Sequence, residues 1–422
     1  MADGFEHLFS ERARGLKASM IRELLKLTHQ KDIVLFAGGL PNPAAFPVEE
    51  VKTICQDLLS GDPDKVLQYG TTEGVTELRE QLVERMRRKS IDCDLKNTII
   101  TSGSQQALDL VSKVFIDPRD MVVCGAPTFL GGAGVFASYQ AQMEAIPVDS
   151  EGMPPDILED RLWKLHRHGR NFKMLYMLPT FQNPTGVTAP ESRRKKIIDI
   201  CAELDMVIIE DDPYCDIRYS GDDLRPVKSF DKEGRVIYMS TFSKILSPGL
   251  RVAWLTASEE ITSKLVIAKQ STDLCTNTLG QYISYEYLAR GLVDKHVELI
   301  KKLYRTKRDI MLKSLKDYMP EGVSWTKPDG GMFCWVTVPN YIDTTEMFNR
   351  AIANNVAYVP GTAFYTNNGG HDAMRLNFTH PTDEMIRVGV ERLAKVIEAE
   401  IREHAKHKPH LDVGKDGMIG GV

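Results

Sequence analysis

Seven short β-rich runs alternate with helical stretches between about residue 97 and residue 260, and this alternation constrains the fold more than any other feature. The pattern predicts an α/β domain with a mainly parallel seven-stranded sheet flanked by helices. Several runs are apolar throughout, as expected for strands that are buried on both sides. The predicted strands are TIIT (98–101), MVVC (121–124), EAIPV (144–148), MLYML (174–178), MVIIE (206–210), RVIYMS (235–240) and RVAWLT (251–256).

The pattern changes after residue 290, which predicts a second, smaller α+β domain over 291–404. Its predicted elements are a long charged helix (about 293–318), the strand GMFCWVTV, a helix, a short strand (near 356–359), the strand MRLNFT (374–379) and a final helix from 382. Residues 46–290 then form the large domain.

The two ends of the chain differ from these domains. Residues 1–45 are predicted to be helical up to Thr28 and then turn through AGGLPNPAAFP, and we expect this segment to contribute to the small domain and to cover a site. Residues 405–422 are polar and glycine-rich, which predicts a loose tail.

Charge and apolar patterning exclude several classes of protein. The 53 basic and 58 acidic residues leave a formal charge of −5, which does not suggest a nucleic-acid partner. The apolar runs are far shorter than the roughly 20 residues that cross a bilayer. The N-terminal residues carry charges where a secretory signal needs a continuous apolar stretch, so we expect a cytoplasmic protein that does not enter a membrane.

The cysteines and histidines show no metal-binding pattern. The seven cysteines form no CxxC pair and predict reduced core residues. His404, His407 and His410 recur every three residues, but no carboxylate or cysteine accompanies them, so we predict a solvated tail and no metal site.

Five predicted strands end in polar or aromatic groups. These are Ser102-Gly103-Ser104-Gln105-Gln106, Pro127-Thr128-Phe129, Asn183-Pro184-Thr185-Gly186, Asp211-Asp212-Pro213-Tyr214 and Ser243-Lys244. Because open α/β sheets bind ligands at the carboxyl ends of their strands, we expect these groups to form one site.

The turn before the helix at 104–115 is a candidate phosphate site. Its backbone N–H groups and the positive end of the helix dipole favour an anion, and Ser104 and Gln105 can add side-chain donors. The same turn is equally consistent with an ordinary helix N-cap.

Lys244 and Asp211 are the candidates for chemistry. Lys244 follows a buried strand, where desolvation favours the neutral, nucleophilic amine, although most single lysines lie on the surface. Asp211 ends an apolar strand and needs a cationic partner there. A phosphate site, a lysine amine and a buried carboxylate are what pyridoxal phosphate requires, because it forms an imine with lysine and carries a ring nitrogen that an anion keeps protonated.

Nine motifs now appear in order along residues 16–400: FAGGLPNP, LQYG, TSGSQQ, NPTG, IIEDDPY, TFSK, PGLR, PGTAFY and MRLNF. By these motifs the chain resembles the fold-type I aminotransferases of class I/II, most closely the kynurenine/2-aminoadipate aminotransferase branch. The resemblance implies pyridoxal 5′-phosphate as cofactor and a homodimeric transferase of amino-acid metabolism and biosynthesis.

The resemblance also implies roles for the residues that hold the cofactor. Lys244 carries the imine and acts as base, Asp211 pairs with the ring nitrogen, and Tyr214 bonds the ring hydroxyl together with Asn183. Phe129 stacks on the ring, where close relatives have tyrosine. The implied phosphate ligands are Ser104, Gln105, Thr241, Ser243 and Arg251; the alternative for Arg251 is a surface charge at the start of a strand.

Substrate contacts follow from the same resemblance. Arg375 matches the arginine that binds the substrate's α-carboxylate, with Asn183 assisting. Gly39 lets the backbone approach that carboxylate, or is a simple turn residue. Tyr69 would reach the phosphate in the neighbouring subunit, so the active unit would be a homodimer.

We expect a ping-pong cycle in which Lys244 performs a 1,3-proton shift. The expected donors are 2-aminoadipate, aromatic and aliphatic L-amino acids, with 2-oxoglutarate as acceptor; Arg22 could bind an acidic side chain. Two alternatives remain: another reaction on the same cofactor, such as a β-elimination or decarboxylation, and a non-catalytic regulator that keeps the pocket. No basic helix-turn-helix module is visible to support the regulator.

Overall fold

A computed structural model gives the structure of the protein and describes residues 4–16, 32–170 and 172–407. Its helices are α1 (Glu11–Arg14), α2 (Val48–Gly61), α3 (Pro63–Leu67), α4 (Thr76–Arg88), α5 (Ser104–Phe115), α6 (Leu130–Ser138), α7 (Pro155–Arg167), α8 (Glu191–Glu203), α9 (Glu259–Gln270), α10 (Thr278–Ala289), α11 (Leu292–Tyr318), α12 (Thr344–Ala353) and α13 (Asp383–His407). Its strands are β1 (Val34–Leu35), β2 (Thr98–Thr101), β3 (Met121–Ala126), β4 (Gln142–Pro147), β5 (Phe172–Met177), β6 (Val207–Asp211), β7 (Val236–Thr241), β8 (Ala253–Thr256), β9 (Ser324–Trp325), β10 (Phe333–Thr337), β11 (Val356–Ala357), β12 (Val359–Pro360) and β13 (Ala373–Asn377).

The large sheet has seven strands in the order β2-β8-β7-β6-β5-β3-β4. Strands β4, β3, β5, β6 and β7 pair in parallel, whereas β8 lies antiparallel between β2 and β7. The predicted α/β fold with a mainly parallel seven-stranded sheet is therefore confirmed. The last strand begins at Ala253 and not at Arg251, because Arg251 has a left-handed backbone (φ 55°) that cannot continue a strand.

Alternate residues of the strands pack into two apolar clusters, one on each face of the large sheet. In β3, Val122 packs in the same cluster as Leu108 of α5, whereas Val123 packs in the cluster that contains Leu162 of α7. Burial on both faces explains why the strand sequences are apolar throughout. Polar groups are left to the ends of the strands, which is where the site forms.

A smaller antiparallel sheet, in the order β12-β13-β10-β9, is formed by residues after 320. Pairing of β13 with β10 places Arg375 opposite Trp335. Strand β1 pairs in parallel with β11, with Val34 opposite Val356, so part of the N-terminal segment is bonded to the region predicted as the small domain. The domain boundaries after residues 45, 290 and 404 stay predictions.

Both chain ends differ in detail from the prediction. Helix α13 continues to His407, so residues 405–407 are helical, and the rest of the tail predicted over 405–422 lies outside the described residues. The end of this helix is held because His404 stacks on Tyr341, with ring centroids 3.8 Å apart, and Glu400 bonds Arg350 of α12. Near the N-terminus α1 is short; most of the helix predicted up to Thr28, with Arg22, lies outside the described residues, as does His410.

None of the helices in the described part of the chain is both long and apolar enough to cross a membrane.

Candidate active site

A cavity of about 390 Å³ opens at the carboxyl ends of the large-sheet strands. The sequence-predicted residues that line it are Gly39, Ser104, Gln105, Phe129, Asn183, Asp211, Tyr214, Thr241, Ser243, Lys244, Arg251 and Arg375. The structure therefore brings together every predicted site residue except Tyr69.

Lys244 lies in the turn that follows β7, and its Nζ donates a hydrogen bond to the carbonyl oxygen of Gly39 at 3.1 Å. Enclosure in the cavity lowers the pKa of this amine to about 8, and the positive charges of Arg375 and Arg251 act in the same direction. About a tenth of the amine is therefore neutral at pH 7, far more than for an ordinary lysine, and this neutral form can act as a nucleophile or base.

Asp211 ends β6 and is buried at the cavity wall. Its Oδ2 accepts a hydrogen bond from Tyr176 at 2.8 Å, whereas its Oδ1 has no hydrogen-bond partner within residues 4–16, 32–170 and 172–407. Burial raises the pKa of this carboxyl to about 7, although the hydrogen bond from Tyr176 favours the charged form. An unpaired, buried carboxylate oxygen at a cavity fits a ligand that brings a cationic N–H group.

The start of α5 forms one wall of the cavity. Its N-cap is Gly103, with a positive φ of 83° and no side-chain cap, so the first N–H groups of the helix are not bonded by the cap residue; the choice between a phosphate site and an ordinary N-cap stays a prediction. The Oγ of Ser104 is buried and has no hydrogen-bond partner among the residues described. A Cβ atom at Gly103 would overlap the guanidinium of Arg251, so only glycine lets this arginine lie against the turn.

The other phosphate candidates surround this helix start. Arg251 is exposed, which agrees with the alternative of a surface charge. It also lines the cavity, and its guanidinium donates to the carbonyl oxygen of Pro248 at 3.2 Å. Thr241 donates to the Oγ of Ser243 at 2.9 Å. Free N–H groups at a helix start, hydroxyls and a guanidinium together fit a phosphate dianion.

Arg375 lies opposite, in the middle of β13, with 1% of its surface exposed. It donates to Asn183 Oδ1 at 2.8 Å and to the carbonyl oxygen of Ala37 at 2.9 Å, and its Nε finds no partner in the described part of the chain. Its guanidinium carbon lies 4.3 Å from the ring centroid of Phe333. Burial lowers its pKa to about 10, so the site favours an anion such as a carboxylate.

Asn183 and Tyr214 connect the two sides of the cavity. The Asn183 side chain accepts from Arg375 and also hydrogen-bonds Tyr214, whose pKa is raised by burial. The ring of Tyr214 packs edge-on against Phe333, with centroids 5.9 Å apart. Gly39 has no positive φ, and a Cβ atom there would make only an ordinary contact with Phe333, so neither a strained turn nor crowding by the chain requires glycine.

Some functional positions were missed by sequence reasoning. Tyr176 was interpreted as part of an apolar strand, and it carried no local signal, because its contact with Asp211 depends on pairing of β5 with β6. Phe333 carried no local signal, because its contact with Arg375 depends on pairing of β10 with β13. The further lining residues are Leu130, Gly131, Leu178, Pro213 and Phe333.

Tyr69 lies elsewhere in the single chain and is 78% exposed. It borders a separate groove lined by residues 66–69 and 275–279. The structure of one chain thus leaves its predicted role untested.

The fold and the cavity together define a class of enzyme. A lysine amine of lowered pKa, a buried carboxylate with one free oxygen, and a helix start with hydroxyls and an arginine fit the three parts of pyridoxal phosphate: its aldehyde, its ring nitrogen and its phosphate. The protein is therefore built as a pyridoxal-phosphate-dependent enzyme of fold type I.

Comparisons with known proteins agree. The family model described as aminotransferase class I and II matches residues 30–393. The aromatic-amino-acid aminotransferase 1 of Thermococcus litoralis is 49% identical over 94% of this chain and 96% of its own length. The 2-aminoadipate transaminase of Thermus thermophilus is 38% identical over 92% of this chain and 96% of its own.

A solved structure is similarly close. The kynurenine aminotransferase of Pyrococcus horikoshii, in complex with PMP, is 49% identical, covers 94% of this chain and 99% of its own, and superposes with a TM-score of 0.92. The chain belongs to the aminotransferase class I and II family. It is a pyridoxal-phosphate-dependent aminotransferase, and an amino acid and a 2-oxo acid are its substrates; the lyase, decarboxylase and regulator alternatives are not favoured.

Proposed function

We propose that the protein transfers the amino group of L-amino acids to 2-oxoglutarate, with Lys244 as the base that moves the substrate proton. The observation that carries this proposal is the convergence of Lys244, Asp211 and Arg375 on one cavity of about 390 Å³. Lys244 supplies a base, Asp211 supplies a negative charge for a cationic ring, and Arg375 supplies a positive charge for a carboxylate.

The proposed cofactor contacts use the groups already described. Lys244 would hold the cofactor covalently, Oδ1 of Asp211 would face the ring nitrogen, and Phe129 would stack on the ring. Asn183 and Tyr214 would bond the ring hydroxyl. The phosphate would be held by Ser104, Gln105, Thr241, Ser243 and Arg251.

When bound, pyridoxal phosphate supplies an electron-withdrawing ring that stabilises negative charge at the α-carbon of the substrate. Arg375 binds the α-carboxylate and so orients the α-C–H bond, with Asn183 fixing the guanidinium. Lys244, freed by the incoming amine, takes the α-proton at Nζ. Its lowered pKa leaves enough neutral amine for this step near neutral pH.

The proposed donors are 2-aminoadipate, aromatic and aliphatic amino acids. The relatives named above carry the first two of these specificities in their names. The apolar wall formed by Leu130, Leu178 and Phe333 suits a hydrocarbon side chain. A panel of L-amino acids, assayed for 2-oxo acid formation with 2-oxoglutarate, tests this; turnover of aspartate alone would contradict it.

We also propose a homodimer in which Tyr69 reaches the phosphate in the second copy. Tyr69, Leu67 and Leu274 are large apolar side chains that are exposed in the single chain. Exposed apolar groups beside an open groove are typical of a surface that another chain covers.

Mixing two inactive variants tests the dimer. In a heterodimer of Tyr69→Ala and Lys244→Ala, one site has both native residues, so random exchange should restore about a quarter of the wild-type activity. No recovery after verified subunit exchange would contradict the proposed role of Tyr69.

A further inference from the structure

Among the described residues, Tyr176 is the one side chain in hydrogen-bond contact with the Asp211 carboxylate. It lies on β5, next to β6, and is fully buried. Its Oη donates to Oδ2 of Asp211 at 2.8 Å, while no group in the part of the chain that the structure describes bonds Oδ1 at the cavity. One oxygen is thus occupied from inside the protein and the other is kept for a ligand.

Neighbouring groups fix the ring of Tyr176. Phe136 packs edge-on against it, with ring centroids 5.3 Å apart. Gly132 of α6 lies directly beside the ring: a Cβ atom there would be 2.8 Å from ring carbons and 3.0 Å from Oη. The hydroxyl therefore has little freedom to leave Asp211.

We propose that Tyr176 is a positioning residue of the transamination site: by donating to Oδ2 it keeps Asp211 charged and oriented, with Oδ1 directed at the cofactor. This inference rests on the role proposed above for Asp211. Neither Tyr176 nor Gly132 is part of the site inferred from the sequence motifs.

The charges around Asp211 show why such a donor is needed. Burial and the neighbouring Asp212 raise the pKa of Asp211, whereas the hydrogen bond from Tyr176 and the charge of Lys244 lower it. Tyr214 also faces Asp211, and Cys124 faces Tyr176; burial raises the pKa of both well above neutral, so both stay uncharged there. The hydroxyl of Tyr176 is thus a fixed, neutral donor to the carboxylate.

The test is the affinity of the apoprotein for pyridoxal phosphate between pH 6.5 and 9, measured by equilibrium dialysis. Removing the donor in Tyr176→Phe leaves more Asp211 protonated near neutral pH. The Kd should rise about tenfold at pH 6.5 and approach the wild-type value at pH 9, where Asp211 is ionised in both proteins. The ratio of the two Kd values cancels the titration of the cofactor and of Lys244.

The chain offers a matched control. Tyr238 of β7 is equally buried and donates to Oδ2 of Asp212 at 3.2 Å, but Asp212 does not line the cavity. Tyr238→Phe removes the same kind of hydrogen bond from Asp212; any loss of charge on Asp212 would lower the pKa of Asp211, so the Kd should not rise at pH 6.5. A pH-independent Kd ratio for Tyr176→Phe, or a ratio equal to that of Tyr238→Phe, overturns the proposal.

A second pair of variants tests the same inference without changing Tyr176 itself. Gly132→Ala should push the tyrosine ring and reproduce the pH-dependent loss of affinity. Gly134→Ala, in the same helix but with open space around it, should have no effect. Equal effects of the two alanines would count against the inference. Failure of the wild-type protein to bind pyridoxal phosphate would instead refute the proposed function itself.

Discussion

The two ends of the cavity are built on different principles. The sheet end, which consists of Ser104, Asp211, Lys244 and Arg251, comes from strand ends and turns of one sheet, and its charges are of both signs. The arginine end, which consists of Arg375, Asn183, Phe333 and the backbone of Ala37, is assembled from four distant parts of the chain. It holds one buried cation with neutral neighbours.

Because of this difference, the two ends of the cavity suit different tasks. Opposite charges at the sheet end adjust the protonation of Lys244 and Asp211, which suits a resident cofactor and proton transfer. The uncompensated cation at the arginine end suits a ligand that arrives and leaves with its own negative charge. Variants at the two ends should therefore fail in different ways.

The largest effect is expected at the sheet end. Lys244→Ala removes the covalent attachment and the base together, so turnover should fall by about 10⁴-fold or more. The 2-oxo acid formed from a good donor measures this, with the visible absorbance of bound cofactor as a second readout. Turnover at the wild-type rate would show that another group is the base.

A smaller loss, of a different kind, is expected at the arginine end. Arg375→Lys keeps the charge but loses the two-point contact, so kcat/KM should fall by about 10²-fold. The Kd for pyridoxal phosphate should hardly change, because this residue faces the substrate. Comparison with Arg251→Gln sharpens the contrast, since that variant should weaken cofactor binding by about tenfold. A larger loss of cofactor affinity in Arg375→Lys than in Arg251→Gln would contradict the division of the cavity into these two ends.

A further expected effect concerns stability and not turnover. The pKa of Asp211 is raised from 3.8 to about 7 in the folded protein, so its carboxyl stabilises the fold when protonated, and this contribution is lost as pH rises from about 4 to 7. Apoprotein carrying Asp211→Asn should therefore exceed the wild type in free energy of unfolding by about 2–4 kcal/mol at pH 8, and match it at pH 4. Urea unfolding at the two pH values measures this, and a difference of equal size at both would contradict it.

The sheet end, apart from Arg251, could be predicted from the sequence because its signals are local; Arg251 was assigned by resemblance. An apolar run followed by a polar residue, as at Asp211, indicates both a buried strand and its end. The arginine end could not be derived in this way. Arg375 was recognised only by resemblance, and its contact with Phe333 depends on which strands pair.

Two details were beyond sequence reasoning for physical reasons. The left-handed backbone of Arg251 shortens β8, and nothing in the sequence indicates that this arginine adopts such a conformation. The hydroxyl of Tyr176 is concealed in a strand whose other residues are apolar, so its role emerges only from its contact with Asp211. Tyr69 differs from both, because the group that it is proposed to contact lies on another chain.

The most direct test of transamination is a half-reaction of the holoenzyme with an L-amino acid and no 2-oxo acid. Two-stage chemistry predicts about one equivalent of 2-oxo acid per chain, with the amino group retained on the protein until 2-oxoglutarate is added. Continuous release of ammonia or carbon dioxide, without any added 2-oxo acid, would contradict the account.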